Sequence, residues 1–290
     1  MTIICGTDFS EGAAGAVRVA TSLARRSRQR LVLVHAVLGI DADLAIFGGQ
    51  DGRDHPARTR LRELAEEIRA TSDIEIENHV LPGDPDETIA DAARRAGASM
   101  IVISSLGHRK PGRWLLGSVA ERTAQLAPVP VLVVRSPQPF EGWLRGQAPL
   151  RILLATDLSE GTKAVLRFAA KLRTIGRCRL TVGHVSFTGA TQRSPGEVGR
   201  GPDAPDGVLD ALRSWTGEPE GEDDLAFVVR PGRGPTGNTL AAMAAETNAD
   251  LVLVGAHRRA TLGQRWYGST SRAAISLCET NVLCVPEDRP

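Results

Sequence analysis

Short β-branched runs alternate along this chain with stretches whose apolar residues recur every three or four positions. Thr2–Thr7 reads as a strand. Ser10 is placed to cap a helix whose Val17, Ala20, Leu23 and Ala24 share one face. Leu31–Val37 is almost continuously apolar, as suits a strand covered on both sheet faces. A Gly- and Asp-rich loop, Gly39–Pro56, precedes a helix carrying Leu61, Leu64, Ala65 and Ile68. Ile74–Leu81 then reads as a strand, Glu87–Arg95 as a helix and Met100–Ser104 as a strand. After a loop at Gly107–Arg113 come a helix, Ser118–Leu126, and a last strand, Val131–Val134. The order is βαβαβαβαβ. Parallel strands joined by right-handed crossovers form an open sheet with helices on both faces.

The pattern then repeats. Thr7-Asp8-Phe9-Ser10-Glu11-Gly12 returns as Thr156-Asp157-Leu158-Ser159-Glu160-Gly161, an offset of 149. His35 meets His184 at that offset, and Gly117-Ser118 meets Gly268-Ser269 at 151. A two-residue insertion near Arg233-Gly234-Pro235 accounts for the change. So long a period is a duplicated domain, not a solenoid. The expected domains are 1–136 and 150–290, joined by a linker at 137–149 rich in Pro and Gly. The second copy has a looser stretch, Thr188–Pro205, read as mobile.

Composition narrows the function. The 290 residues carry 35 basic and 34 acidic side chains. Up to Arg145 the balance is 18 to 18, and beyond it 17 to 16, so neither half is a basic nucleic-acid-binding module. Aromatics are 4%, too few for a base-stacking platform. No apolar run is long enough to span a bilayer and the N-terminus has no basic leader, so a cytoplasmic protein without membrane partners is expected. The four cysteines form no CxxC and no metal-type pairing with histidine, and read as small buried hydrophobes. No metal ligands and no catalytic residues are assigned.

Ligands of such sheets sit outside the carboxyl ends of the strands. Asp8 and Asp157 follow the first strand of each copy, and His35 and His184 lie in the second. Gly117-Ser118 opens a helix, where bare amides and the dipole suit an anion. Each feature has a plainer alternative: a Ser-capped helix start, an Asp that only shapes a turn, a satisfied core histidine. Trp114 and Trp266 read as packing or interface residues. Arg109, Lys110, Arg258 and Arg259 either add charge toward phosphates or belong to solvated loops.

These residues together resemble the universal stress protein family. The carriers are the Thr-Asp-Phe-Ser-Glu start, the second-strand histidine, and Leu115-Leu116-Gly117-Ser118-Val119-Ala120-Glu121-Arg122 followed by Ala127-Pro128-Val129-Pro130-Val131-Leu132-Val133-Val134. The resemblance spans nearly the whole chain as two tandem copies. It implies an α/β fold of two tandem Rossmann-like (adenine nucleotide alpha hydrolase-like) domains. Each is an open five-stranded parallel sheet of order 3-2-1-4-5 with helices on both faces. It implies ATP or a related adenine nucleotide, with Mg²⁺ as an optional companion, bound as a stress-response effector with at most slow hydrolysis. In the first copy the implied contacts are Gly6, Asp8, Ala36, Ser104, Gly107, Gly117, Ser118 and Val119. In the second they are Ala155, Asp157, Val185, Gly255, Arg258, Gly268, Ser269 and Thr270. The domains are expected to pack together within the chain, and further homodimerisation is open.

Both copies depart from the family's Gly-x-x-Gly-x9-Gly-Ser arrangement. Ser104 replaces the first glycine in copy one, and Arg258 the second in copy two. Serine is small enough to permit close ribose approach. The arginine either obstructs the phosphates or pairs with them. The first copy is therefore the favoured nucleotide site. The alternative is a Usp-type interaction or dimerisation module that binds no nucleotide. A nucleotide hydrolase ranks last, because the first-strand loops lack a glycine pair for pyrophosphate.

Overall fold

The computed structural model describes residues 1–38, 56–105, 117–157, 162–186, 225–232, 234–256, 258–261, 264–267 and 269–286. The loop read at Gly39–Pro56, up to residue 55, and the looser stretch Thr188–Pro205 lie outside them. The chain divides into two units: Met1–Gln147 with Arg259–Trp266, and Ala148–Arg258 with Tyr267–Pro290.

The first unit contains β1 (Thr2–Gly6), α1 (Glu11–Ser27), β2 (Arg30–Val37), α2 (Pro56–Thr71), β3 (Ile76–Pro82), α3 (Pro85–Arg95), β4 (Met100–Ser104), α4 (Ser118–Leu126), β5 (Val131–Val134) and α5 (Gln138–Leu144). Its strands lie in the order β3-β2-β1-β4-β5, and every pairing is parallel. The register places Cys5 beside Leu33 and Val102, both fully buried. Ser10 caps α1, its Oγ accepting from the Ala13 amide at 3.2 Å. The helix ends where Arg28 turns left-handed at φ 53°. Its buried face carries Val17, Ala20, Leu23 and Ala24, the stripe expected from the spacing.

From residue 150 the chain forms β6 (Leu150–Thr156), α6 (Thr162–Ile175), β7 (Cys178–Ser186), β8 (Leu225–Pro231), α7 (Thr236–Glu246) and β9 (Leu251–Ala256). Two short strands follow, β10 (Arg258–Thr261) and β11 (Gln264–Tyr267), and they pair with each other. The sequence pattern reads as a loop there. The chain closes with α8 (Ser269–Leu277) and β12 (Asn281–Pro286). The sheet of the second unit has the order β8-β7-β6-β9-β12, again parallel throughout. Both sheets therefore place their first strand in the middle, as expected.

The segment read as a linker also carries structure. Within Gln138–Leu144, Phe140 is 1% and Trp143 2% exposed, their rings edge-on at 6.1 Å. The helix packs on α1, where Arg18 Nε donates to Glu141 at 3.0 Å. A Cβ on Gly15 would already stand 3.4 Å from Pro137.

All four cysteines are buried, and none of them forms a disulfide. Burial pushes the Cys5 thiol from 9.0 up to about 12, because the thiolate loses its water. Cys284 moves in the same direction for the same reason, with Cys278 adding to the shift. Native protein at pH 8 is therefore expected to leave Cys5 and Cys284 unlabelled by a thiol reagent until it unfolds. The sign for stability follows from linkage. Above pH 9 the unfolded Cys5 gives up its proton while the folded one keeps it, so stability falls between pH 9 and about 12. Rapid labelling of Cys5 at pH 8 in folded protein would contradict this.

Candidate functional site

Parallel pairing brings the ends of β1, β2 and β4 to one edge of the first sheet. The chain leaves β1 through a tight turn. The Phe9 amide donates to Thr7 Oγ1 at 3.1 Å and the Ser10 amide to Asp8 Oδ1 at 3.0 Å. Phe9 sits at φ 62°, a left-handed conformation that costs a side-chain-bearing residue about 1–3 kcal/mol. Asp8 thus shapes the turn into α1.

His35 Nδ1 lies 2.8 Å from the Thr7 carbonyl, and His184 Nδ1 lies 2.9 Å from the Thr156 carbonyl. A carbonyl only accepts, so Nδ1 carries the proton in both rings. Each histidine ties the end of the second strand to the chain leaving the first. The satisfied-histidine reading holds in both copies.

Two side chains missed by the sequence reading join this edge. The Phe9 ring lies 4.6 Å from that of His35, and the Arg60 guanidinium stands 4.8 Å over Phe9. Val37, Ala57 and Val80 complete the apolar patch under Phe9. Arg60 lies on α2, and helical spacing predicts only the inward stripe, not what an outward arginine covers.

Ala36 lies in β2 and Ser104 ends β4, both half-buried. Ser105, next along, is buried and donates its amide to Val134 O at 2.9 Å. Its carbonyl accepts from the Gly117 amide at 2.8 Å, so α4 is anchored directly to the end of β4. Gly117, not a serine, is the N-cap, at φ −65° and ψ 132° with no side-chain cap. Ser118 is exposed and Val119 half-buried in the first turn. The opening amides of a helix lack intrahelical acceptors, so this start offers donors at the sheet edge. A Cβ at Gly6 would meet Ile89 Cδ1 at 2.5 Å and Ile103 Cγ2 at 3.1 Å, so a larger residue there displaces the Ile89 side chain. Gly107, the loop at Gly107–Arg113 and Trp114 lie outside the described residues.

The second copy builds its edge differently. Asp157 is exposed, with Thr162 Oγ1 at 3.5 Å from its Oδ1. Ala155, Val185 and Gly255 are half-buried in β6, β7 and β9. Ser271, wholly buried, donates its hydroxyl to the Gly255 carbonyl at 2.6 Å. That residue ties α8 to β9, and nothing in the sequence marked it. Thr270 is half-buried. The backbones of Arg258 and Ser269 lie in β10 and α8, and Gly268 is outside the described residues. Among the described residues no cluster of three metal-binding side chains occurs, and no helix is long and apolar enough to cross a membrane.

Known proteins agree with this architecture. The chain is 33% identical over 139 residues to a universal stress protein of Thermus aquaticus, covering 46% of this chain and 98% of that one. It is 28% identical over 146 residues to one of Methanocaldococcus jannaschii, covering 47% and 82%. A crystal structure of a universal stress protein from Archaeoglobus fulgidus has the same fold, with a TM-score of 0.69 at 19% identity, covering 99% and 98% of the two chains. The model of the universal stress protein family matches residues 1–135 and again 150–286, so the chain belongs to that family as a tandem two-domain member.

Proposed function

We propose that the first copy binds ATP or a related adenine nucleotide as an effector in a cytoplasmic stress response, without efficient turnover. The observation that carries this reading is the anchoring of α4. The Gly117 amide bonds the Ser105 carbonyl at 2.8 Å, which sets the opening turn of α4 beside the end of β4. Phosphates there would meet the amides following Gly117, and Ser118 would add a hydroxyl. The ribose would lie toward Asp8 and Ser104, and the adenine toward the backbone of Ala36. The donor set fits a polyphosphate, since it is neutral backbone at a positive helix end.

Titration calorimetry with ATP tests this. We expect micromolar-class binding to the full chain. Gly117→Val is expected to weaken it at least about tenfold, since a branched side chain blocks the anion's approach. Gly117 has an ordinary negative φ, so valine does not strain the backbone and the loss reports on the ligand. Gly268→Val is expected to change the affinity of the first copy little. The opposite pattern places the nucleotide in the second copy. Absence of both heat and co-purified nucleotide overturns the reading in favour of an interaction module, the alternative that Ser104 and Arg258 favour.

A further inference from the structure

The helix pair α3–α4 of the first unit and its duplicate α7–α8 in the second are built with opposite chemistry. In the first, Asp86 is 4% exposed, and its Oδ2 lies 3.6 Å from Arg122 Nε. Its Oδ1 is buried without a hydrogen-bond partner, and so is the hydroxyl of Thr123. At the offset of 151 these three residues become Gly237, Ala273 and Ala274. There a Cβ on Gly237 would overlap that of Ala273. At these three positions the second unit therefore places no polar side chain. The first unit makes this helix crossing around a buried carboxylate that is only partly satisfied, which is the costlier solution.

That cost has one visible product, the placing of Arg122. Its side chain is 56% exposed although its Nε faces Asp86, which leaves the guanidinium head in solvent. Arg122 is four residues after Ser118, on the same face of α4. A helical side chain leans toward the N-terminus of its helix, which directs Arg122 toward the turn that Gly117 opens. An arginine held by one nitrogen keeps its fork free for a second anion.

We infer that Arg122 is a specificity-determining residue of the first copy. It favours nucleotides with a polyphosphate tail over monophosphates, and Asp86 is the positioning residue that aims it. The second copy has neither residue at the corresponding positions. The inference rests on the nucleotide reading above and adds to it which nucleotides are chosen.

The test compares ATP and AMP affinities by calorimetry in the full chain carrying Gly268→Val, so that the first copy reports. Arg122→Gln is expected to weaken ATP about tenfold and AMP less than about twofold, the difference being one charge-assisted phosphate contact. Arg122→Lys keeps the charge but not the Nε tether, and recovers part of the ATP affinity. Asp86→Asn keeps the shape of the carboxylate and lowers the ATP-to-AMP preference about threefold. The triple change Asp86→Gly, Arg122→Ala and Thr123→Ala guards against misfolding, because the second unit already builds this crossing from those residues; it should match Arg122→Gln. Equal losses for ATP and AMP would mean that Arg122 only holds α4 in place, and would overturn the inference while leaving nucleotide binding intact. Unchanged affinities would overturn it as well. If the unsubstituted chain binds neither nucleotide, the functional reading fails first and this inference falls with it.

Discussion

Phe140→Ala is expected to lower the stability of the first unit by about 3–5 kcal/mol. Phe140 is 1% exposed and stands edge-on to Trp143 in a helix packed on α1. Truncation removes a buried ring and leaves a cavity that the short helix α5 cannot fill by itself. Denaturant unfolding reads the loss, and faster amide exchange in α1 assigns it to this unit. Trp143→Phe is the contrasting control. The Trp143 Nε1 is buried with no acceptor, so phenylalanine removes an unsatisfied donor and gives up no hydrogen bond. Its cost should be well below that of Phe140→Ala. A Phe140→Ala loss under about 1 kcal/mol would mean that the helix merely rests on the surface. The family match stops at residue 135 and resumes at 150, so these buried aromatics belong to neither repeat and extend the first unit beyond it.

Gly237→Val is the second large effect, at about 3 kcal/mol against the second unit. The Cβ of any residue at 237 overlaps Ala273 Cβ and comes 3.3 Å from the Ala273 backbone. Backbone cannot rotate away as a side-chain tip can, so α7 and α8 must separate. Alanine already brings the clash, and its better helix propensity returns only part of the cost. Valine adds two methyl groups toward Leu277, whose Cδ1 would lie 3.2 Å from the new Cβ. A thermal melt should show the second unit unfolding earlier, with exchange rising in α7 and α8 and unchanged in α1. A melt matching the parent protein would mean that the crossing has room the structure does not show. Gly97→Ala is the neutral-space comparison, since nothing lies within 4 Å of its Cβ; its φ of +54° makes any cost one of backbone strain alone.

The site was legible in part. The position of Gly117 at a helix start follows from sequence, because a small residue before an apolar helical stripe marks a boundary. Which residue caps that helix does not follow: serine is a candidate on sequence, and the structure gives the cap to glycine. The histidines were legible as satisfied groups, and both bond a carbonyl at or just past the end of the first strand of their copy. Gly6 reads as a ligand contact in the resemblance, while its neighbours Ile89 and Ile103 reveal a packing demand. That demand comes from residues about 80 and 100 positions away, beyond the reach of any local window.

The order of strands and helices up to Val134, the duplication and the inward stripe of α1 were written in the chain itself. They depend on period and burial preference, which each segment expresses locally. Three features were settled only when the segments met: the aromatic helix at Gln138–Leu144, the Ser271 tie to Gly255, and the exchange of a buried Asp86–Arg122 pair for Gly237 against Ala273. Each is a contact between surfaces brought together from distant parts of the chain. Its energy depends on interatomic distance and lost hydration, which no residue carries alone.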